Sequence, residues 1–374
     1  MKIAIAHDWI YGGGAEKVVE ALHQIYPDAP IYTVFCTPEW RKRLDDKVVT
    51  GYLGRWPMNR LHKFTSVFQQ WWFAGLDLSA FDVVISSSGN GAARFVLSNY
   101  KGGTRPVHIG YTHTPTHFYY RKYDEYMKNP GFRPYWLSRL GLKTLAGYLR
   151  KKDTAAARKI DTLLANSTFI ATDIKKYYGR DSDVVYPPVD TARFQKIPRT
   201  SKKAHAKTPN YVIWSRHVPY KRFDIAVEAC NLLGANLTII GTGPETARLS
   251  KIAGPTVKLV GYVSDRELEL IAAESTAFLY PSDEDFGIAP VEAMAAGIPV
   301  VAYRAGGALD YVVPGETGEF FDAQTVESLV EVLKKFDASK YDSTKIRAKA
   351  EEFSVQKFKA NIRHVVDETI KSAV

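Results

Sequence analysis

Short apolar runs alternate with helical-period stretches along the whole chain. Ile3–Ala6 is a buried run that His7-Asp8 ends, and the stretch from Ala15 to Ile25 carries helix spacing. Val83–Ser86, Val107–Tyr111 and Thr162–Asn166 are further apolar runs. A second series follows at Tyr211–Ser215, Leu237–Gly241, Val257–Gly261, Ala277–Tyr280 and Pro299–Ala302, with helices predicted from Phe223 and over Asp265–Glu274. Runs of this length separated by helices predict parallel strands covered on both faces, hence an α/β fold of two doubly wound, Rossmann-like domains. Between the two series lie Pro187-Pro188 and the polar stretch Pro198 to Pro209. They predict an exposed linker over 196–209, dividing a domain over 1–195 from one over 210–354. The carboxyl edges of two such sheets are expected to face a cleft, where ligands of this class bind.

The length of 374 residues accommodates two ordinary domains, and no stretch approaches the ~20 apolar residues of a membrane span. The opening Met1-Lys2-Ile3-Ala4-Ile5-Ala6 is too short for a secretory signal, and Cys36 and Cys230 make neither a disulfide framework nor a zinc cluster. A cytoplasmic location is the expectation. The net charge of +10 points to nucleic acid, an anionic membrane face or phosphorylated ligands. No recognition-helix, RNP or zinc-finger pattern is present, so nucleic acid is not an expected partner.

The most specific chemistry lies at Pro281-Ser282-Asp283-Glu284-Asp285-Phe286-Gly287-Ile288-Ala289-Pro290-Val291-Glu292-Ala293-Met294-Ala295-Ala296-Gly297. It follows one apolar run and precedes another, a strand–loop–helix–strand order that puts the loop at the carboxyl edge of a parallel sheet. Pro290 suits a first helical turn, so Glu292 is expected within that turn and Glu284 in the loop before it. Phe286, Gly287 and Ile288 are expected to offer free backbone N–H groups. Arg216 and Lys221 follow an earlier strand and precede a helix, a placement that suits a diphosphate. Gly12-Gly13-Gly14 opens the first helix, either as a phosphate-approaching loop through Gly13 and Gly14 or as a plain tight turn. Gly241-Thr242-Gly243-Pro244 ends another strand, and Gly261-Tyr262-Val263 precedes the Asp265 helix. In Tyr111-Thr112-His113-Thr114-Pro115, His113 ends a strand and is suited to a hydroxyl or a proton, with His117 as a rival.

Glu284 to Glu292, continued by Gly306-Gly307, Asp310 and Gly315-Glu316-Thr317-Gly318, resembles the carboxylate pair of the retaining glycosyltransferases of family 4, which have the GT-B fold. The resemblance spans nearly the whole chain and is strongest from Tyr211 to Phe321. It implies that Glu284 and the Phe286–Ile288 amides hold the donor sugar, that Glu292 holds the ribose, and that Arg216 and Lys221 hold the diphosphate. It places Gly13, Gly14 and Gly241 on ligand loops, Val263 at the nucleobase and His113 on the donor. It implies a front-face displacement in which the departing diphosphate helps deprotonate the acceptor. In such a reaction catalysis is mostly positioning and charge stabilisation, carried here by His113, Glu284, Arg216 and Lys221. It also implies that the last helix, over 355–374, crosses back to the first domain. Asp283–Asp285 and Asp181–Asp183 look like metal-binding pairs of the other major glycosyltransferase fold. With Arg216 and Lys221 supplying positive charge, neither a metal nor another cofactor is expected.

Asp-Phe-Gly-Ile-Ala-Pro-Val-Glu and Ala-Gly-Gly-Ala-Leu-Asp look most like bacterial O-antigen mannosyltransferases. That implies transfer of mannose from GDP-mannose to a glycan or polyprenyl-diphosphate-linked acceptor, in cell-surface polysaccharide biosynthesis. Transfer from a UDP-hexose or UDP-N-acetylhexosamine, sugar-nucleotide epimerisation and noncatalytic binding are the alternatives. Between Arg121 and Lys152, cations (Arg121, Lys122, Lys128, Arg133, Arg139, Lys143, Arg150, Lys151, Lys152) interleave with Tyr123, Tyr126, Phe132, Tyr135, Trp136 and Tyr148. Phe64, Val67, Phe68, Trp71 and Trp72 fall at helical spacing upstream. This is the composition of a peripheral surface on an anionic membrane, here the inner face of the cell membrane; core packing with a solvated cationic face is the alternative.

Overall fold

The computed structural model describes residues 1–54, 65–116, 119–128, 135–199 and 208–373. The chain divides into two compact units, Met1–Pro187 with Phe358–Val374, and Pro188–Lys357.

Among the described residues the first unit holds seven parallel strands: β1 (Ile3–His7), β2 (Ile31–Thr33), β3 (Val48–Thr50), β4 (Val83–Ser88), β5 (Val107–Thr112), β6 (Thr162–Ala165) and β7 (Asp183–Val184). Their order is β3-β2-β1-β4-β5-β6-β7, so the winding reverses between β1 and β4. Period-two alternation splits β1 and β4 between two cores. Ile3, Ile5, Val83 and Ile85 join Val18, Val19 and Leu22 of the helix Gly14–Ile25 on one face. Ala4, Ala6 and Val84 meet Phe73, Leu78 and Phe95 on the other. A sheet buried on both faces needs apolar residues at successive positions, which is why β1 reads as a continuous run. The helix Val355–Ala373 adds Phe358, Ile362 and Val366, four apart on one helical stripe, to the first of these cores.

In the second unit β8 (Asn210–Trp214), β9 (Asn236–Ile240), β10 (Val257–Gly261), β11 (Ala277–Tyr280), β12 (Val300–Tyr303) and β13 (Gly318–Phe321) form a parallel sheet. Their order is β10-β9-β8-β11-β12-β13, with the reversal between β8 and β11. The helix Asp265–Glu274 starts at a capping box, Ser264 with Glu267, and Phe223–Leu233 ends at Gly234 in the left-handed conformation (φ 61°).

Two boundaries differ from the sequence expectation. The division between the units falls at Pro187–Pro188 rather than in the 196–209 stretch, of which 200–207 lie outside the described residues. Residues 188–195 belong with the second unit because Val189 N–H donates to the Phe353 carbonyl (2.9 Å), and Thr191 and Gln195 both donate to Glu351 Oε2 (2.8 Å each). The helix after β11 runs Ile288–Ala295, so Pro290 is its third residue and Glu292 its fifth, just past the first turn. Proline fits there as well as at the first position, because the first four N–H groups have no partner within the helix.

Candidate active site

In an open parallel sheet, ligand groups gather at the carboxyl edge where the winding reverses. In the second unit that edge lies where β8 and β11 end, and the chain delivers Trp214-Ser215-Arg216 and Pro281 to Glu284 there. Lys221, in a single 3-10 turn, donates from Nζ to Glu284 Oε1 at 2.6 Å. Both side chains are mostly buried, 10% and 19% exposed, so the pair is shielded and each charge depends on the other. The buried Ser282 hydroxyl donates to the Lys221 carbonyl at 3.1 Å and ties the two loops together. Arg216 is exposed at the start of the same loop and forms no ion pair with any other described residue.

The Glu284 loop rests on glycines. Gly307 N–H donates to the Glu284 carbonyl (2.9 Å). A Cβ on Gly306 would stand 2.0 Å from that oxygen, and one on Gly307 would stand 2.3 Å from Phe286 Cα. Gly287, at φ 86°, turns the backbone into the helix over the buried Tyr280 hydroxyl. Tyr311 donates to the Phe286 carbonyl (3.1 Å), while the Phe286 ring packs on Tyr311 and Phe353 as core. Any ligand contact of Phe286 is therefore through its backbone. Ile288 is the first helical residue and is half-buried. Glu292 Oε2 accepts from the indole N–H of Trp214 at 3.0 Å.

Gly241 follows β9 and Val263 follows the edge strand β10, so they lie progressively further along the carboxyl edge from Lys221 and Glu284. Gly241 and Gly243 admit no side chain, since a Cβ would stand 2.2 Å from the carbonyls of Ser215 and His217 respectively. His217, which the sequence reading passed over, is the seam of these loops. It is fully buried, its Nδ1 lies 2.9 Å from the Thr246 hydroxyl, and its backbone bonds to Thr242 and Glu245. Burial lowers its pKa, so it sits there neutral.

At the reversal of the first unit's sheet, between β1 and β4, Asp8 accepts from the N–H groups of Gly89 (2.9 Å), Asn90 (2.6 Å) and Ala93 (2.6 Å) and fixes the turn after β4. His113 Nε2 lies 2.8 Å from the Ser87 hydroxyl, and His7 Nδ1 lies 2.8 Å from the Ser87 carbonyl. A carbonyl only accepts, so His7 Nδ1 carries its proton, while the Ser87 hydroxyl and His113 Nε2 share one hydrogen bond. Burial first, and His7 second, hold the His113 pKa down at about 3. The ring is neutral across the physiological range, suited to a hydroxyl and unsuited to acting as a cationic acid. The glycine loop is closed by protein: Glu16 Oε1 accepts from Tyr11 and Gly12 N–H, both at 3.1 Å. Gly13 is the extended cap residue and Gly14 opens the helix. The Tyr11 and Gly12 amides thus already have an anionic partner. His117 lies outside the described residues.

The family model described as "Glycosyltransferase Family 4" matches residues 12–193, and that for "Glycosyl transferases group 1" matches residues 196–353. The chain belongs to the family 4 glycosyltransferases. A GDP-mannose-dependent alpha-(1-6)-phosphatidylinositol monomannoside mannosyltransferase of Mycobacterium tuberculosis is 29% identical over 210 residues, covering 47% of this chain and 54% of that protein. The human alpha-1,3/1,6-mannosyltransferase ALG2 is 27% identical over 207 residues, covering 47% of this chain and 50% of that protein. The matched stretch thus spans about half the length of these relatives. Anabaena HepE, solved with UDP and glucose, aligns with a TM-score of 0.69 at 18% identity, over 98% of this chain and 99% of that one. The lipopolysaccharide outer core galactosyltransferase WaaB aligns with a TM-score of 0.69 over the whole of both chains, also at 18% identity. Both show that the family 4 chain has the GT-B architecture of two parallel-sheet, Rossmann-like domains.

The aromatic surface of this glycosyltransferase is in part displayed. On the helix Tyr135–Arg158, Trp136 is 66% exposed and Tyr148 58%, and on Ser66–Ala74 Trp71 is 64% exposed. Trp72 instead packs into the core. Arg150 is not a free cation, since it donates to the Tyr119 carbonyl and lies over the Tyr123 ring at 4.7 Å. Lys143, Lys151 and Lys152 are exposed. Phe64, Phe132 and Arg133 lie outside the described residues. No helix among the described residues is long and apolar enough to cross a membrane. The same helix supplies Asp153 to a buried ion pair with Arg94 (2.5 Å), to which Tyr178 adds a hydroxyl (2.9 Å); no local sequence signal marked this anchor.

Proposed function

We propose that this chain transfers a hexosyl group from a nucleoside-diphosphate sugar, mannose from GDP-mannose first among them, to a lipid-diphosphate-linked glycan, with retention of configuration. The observation that carries the reading is the Lys221–Glu284 pair at the switch point of the second sheet, with exposed Arg216 at the start of the loop that carries Lys221. Its cations suit a leaving diphosphate and its carboxylate suits sugar hydroxyls. The mannosyl choice follows the GDP-mannose-dependent relative, and the fold relative solved with UDP and glucose motivates the UDP-sugar alternative.

In the proposed step the bond from the sugar C1 to the diphosphate oxygen breaks as the acceptor hydroxyl oxygen attacks C1 from the same face. The acceptor proton passes to the departing diphosphate. Arg216 and Lys221 stabilise the charge that develops there, Glu284 and the amides at 286–288 hold the sugar, and His113 is assigned to a hydroxyl. The test is hydrolysis of a panel of labelled GDP- and UDP-sugars, where release of mannose from GDP-mannose above the others is expected. Turnover of UDP-glucose alone would replace the mannosyl reading, and no turnover of any donor would favour a noncatalytic role. Turnover is expected to survive EDTA, because side-chain cations are assigned to the diphosphate. Loss on chelation with rescue by magnesium or manganese would reverse that assignment.

The exposed aromatics with Lys143, Lys151 and Lys152 support an acceptor presented at an anionic membrane surface. At ~1 kcal/mol per cation near such a surface, replacing these three lysines by serine is expected to reduce vesicle binding while donor hydrolysis persists. Flotation with anionic and neutral vesicles, at low and high salt, measures it. Equal binding to both vesicle types would make the patch a solvated face and a soluble acceptor the better reading.

A further inference from the structure

We infer that Trp214 is a positioning residue: its indole N–H fixes the Glu292 carboxylate for the ribose hydroxyls of the bound nucleotide. The inference rests on the nucleotide-sugar reading above. Trp214 is the last residue of β8, at the reversal of the second unit's sheet. Phe194 stacks parallel to its ring, at a centroid distance of 6.1 Å and an interplanar angle of 6°, and Phe278 of β11 meets it edge-on at 4.7 Å. Phe194 lies on the helix Thr191–Gln195, which packs against the helix carrying Glu292. The ring is 7% exposed, so its orientation is set by these neighbours and the direction of its N–H is set with it.

A buried indole N–H requires an acceptor, and a backbone carbonyl would serve for packing alone. Here the acceptor is Glu292 Oε2, at 3.0 Å. A hydrogen bond to one oxygen restricts the rotation of the carboxylate and so narrows where its second oxygen points. A carboxylate held in that way before the ligand arrives needs less ordering on binding than one on a mobile side chain. Aromatic packing thereby settles the geometry of a polar contact to ligand.

The test is calorimetric titration of GDP and UDP, and of their 2′,3′-dideoxy forms, against the wild type and Trp214→Phe, which keeps an aromatic ring and deletes the N–H. Loss of a charge-assisted hydrogen bond predicts that Trp214→Phe weakens binding of the ribonucleotide by about tenfold. The dideoxy nucleotide, which lacks the hydroxyls, is expected to bind both proteins within twofold of one another. Equal weakening for both ligands would make Trp214 a packing residue and overturn the inference. A wild type that binds the dideoxy form as tightly as the ribonucleotide would instead remove Glu292 from the ribose, and failure of both ribonucleotides to bind would remove the nucleotide reading. Should Trp214→Phe fail to fold, Phe194→Leu, which loosens the ring without deleting it, is expected to show the same ribose-dependent pattern, and its absence there overturns the inference equally.

Discussion

Lys221→Ala is expected to lower kcat/KM for transfer by roughly a hundredfold to a thousandfold, the range for removing one donor to a developing oxyanion. Two losses combine. The leaving diphosphate forfeits a cation, and Glu284, mostly buried and 2.6 Å from Nζ, is left as a shielded charge without that partner. A double-mutant cycle with Glu284→Ala separates them. If Lys221 acts on the diphosphate, its removal costs affinity for the free nucleoside diphosphate in either background. If it acts by holding Glu284, the cost falls on kcat and vanishes once Glu284 is alanine. Kinetics like the wild type would take Lys221 out of the site.

Gly307→Ala is expected to be strongly damaging at the second unit's ligand edge, and through contact alone, since Gly307 has no positive φ to add strain. The added methyl would stand 2.3 Å from Phe286 Cα, a backbone atom that no side-chain rotation relieves. The loop carrying Glu284 must shift, and with it the hydrogen bond from Gly307 N–H to the Glu284 carbonyl. Overpacking of this kind costs about 1–3 kcal/mol. A melting temperature several degrees lower, together with loss of nucleotide binding, is the expected result. An unshifted melt with native affinity would mean that the two loops need no such approach. The same substitution at Gly315, whose Cβ would meet nothing within 4 Å, leaves the loop contact intact, though its φ of 76° carries a local cost.

Most of the strands that the sequence predicts are apolar enough to be buried on both faces, such as Ile3–His7 and Val107–Thr112; the edge strand Val257–Gly261 is the exception. Those it passed over are the short Ile31–Thr33, Val48–Thr50 and two-residue Asp183–Val184, whose pairing depends on neighbours rather than on their own pattern, and Gly318–Phe321, which opens on the last residue of Gly315-Glu316-Thr317-Gly318. Lys221 and Glu284 could be named from their motifs, but 63 residues separate them, and only the strand order brings them together. Residues that act by fit left no pattern at all. Trp214 reads as one more apolar strand residue, His217 as a polar residue between two turn signals, and Glu16 as ordinary acid in a first helical turn. The glycine loop shows the same limit, because spacing cannot say whether its amides await a phosphate or are taken by Glu16.

The helix that carries Phe358, Ile362 and Val366 gives the chain an order of assembly. Those side chains complete a core whose other members, among them Ile3, Val19 and Val83, leave the ribosome hundreds of residues earlier. The second unit, Pro188–Lys357, is one continuous segment and has all its own residues before Phe358 is made. During vectorial synthesis it can close first, while the amino-terminal unit waits with an apolar groove open. The part of the chain translated first is therefore finished last, and a stop codon shortly after Lys357 would spare the second unit's core while leaving the first without one side of its own.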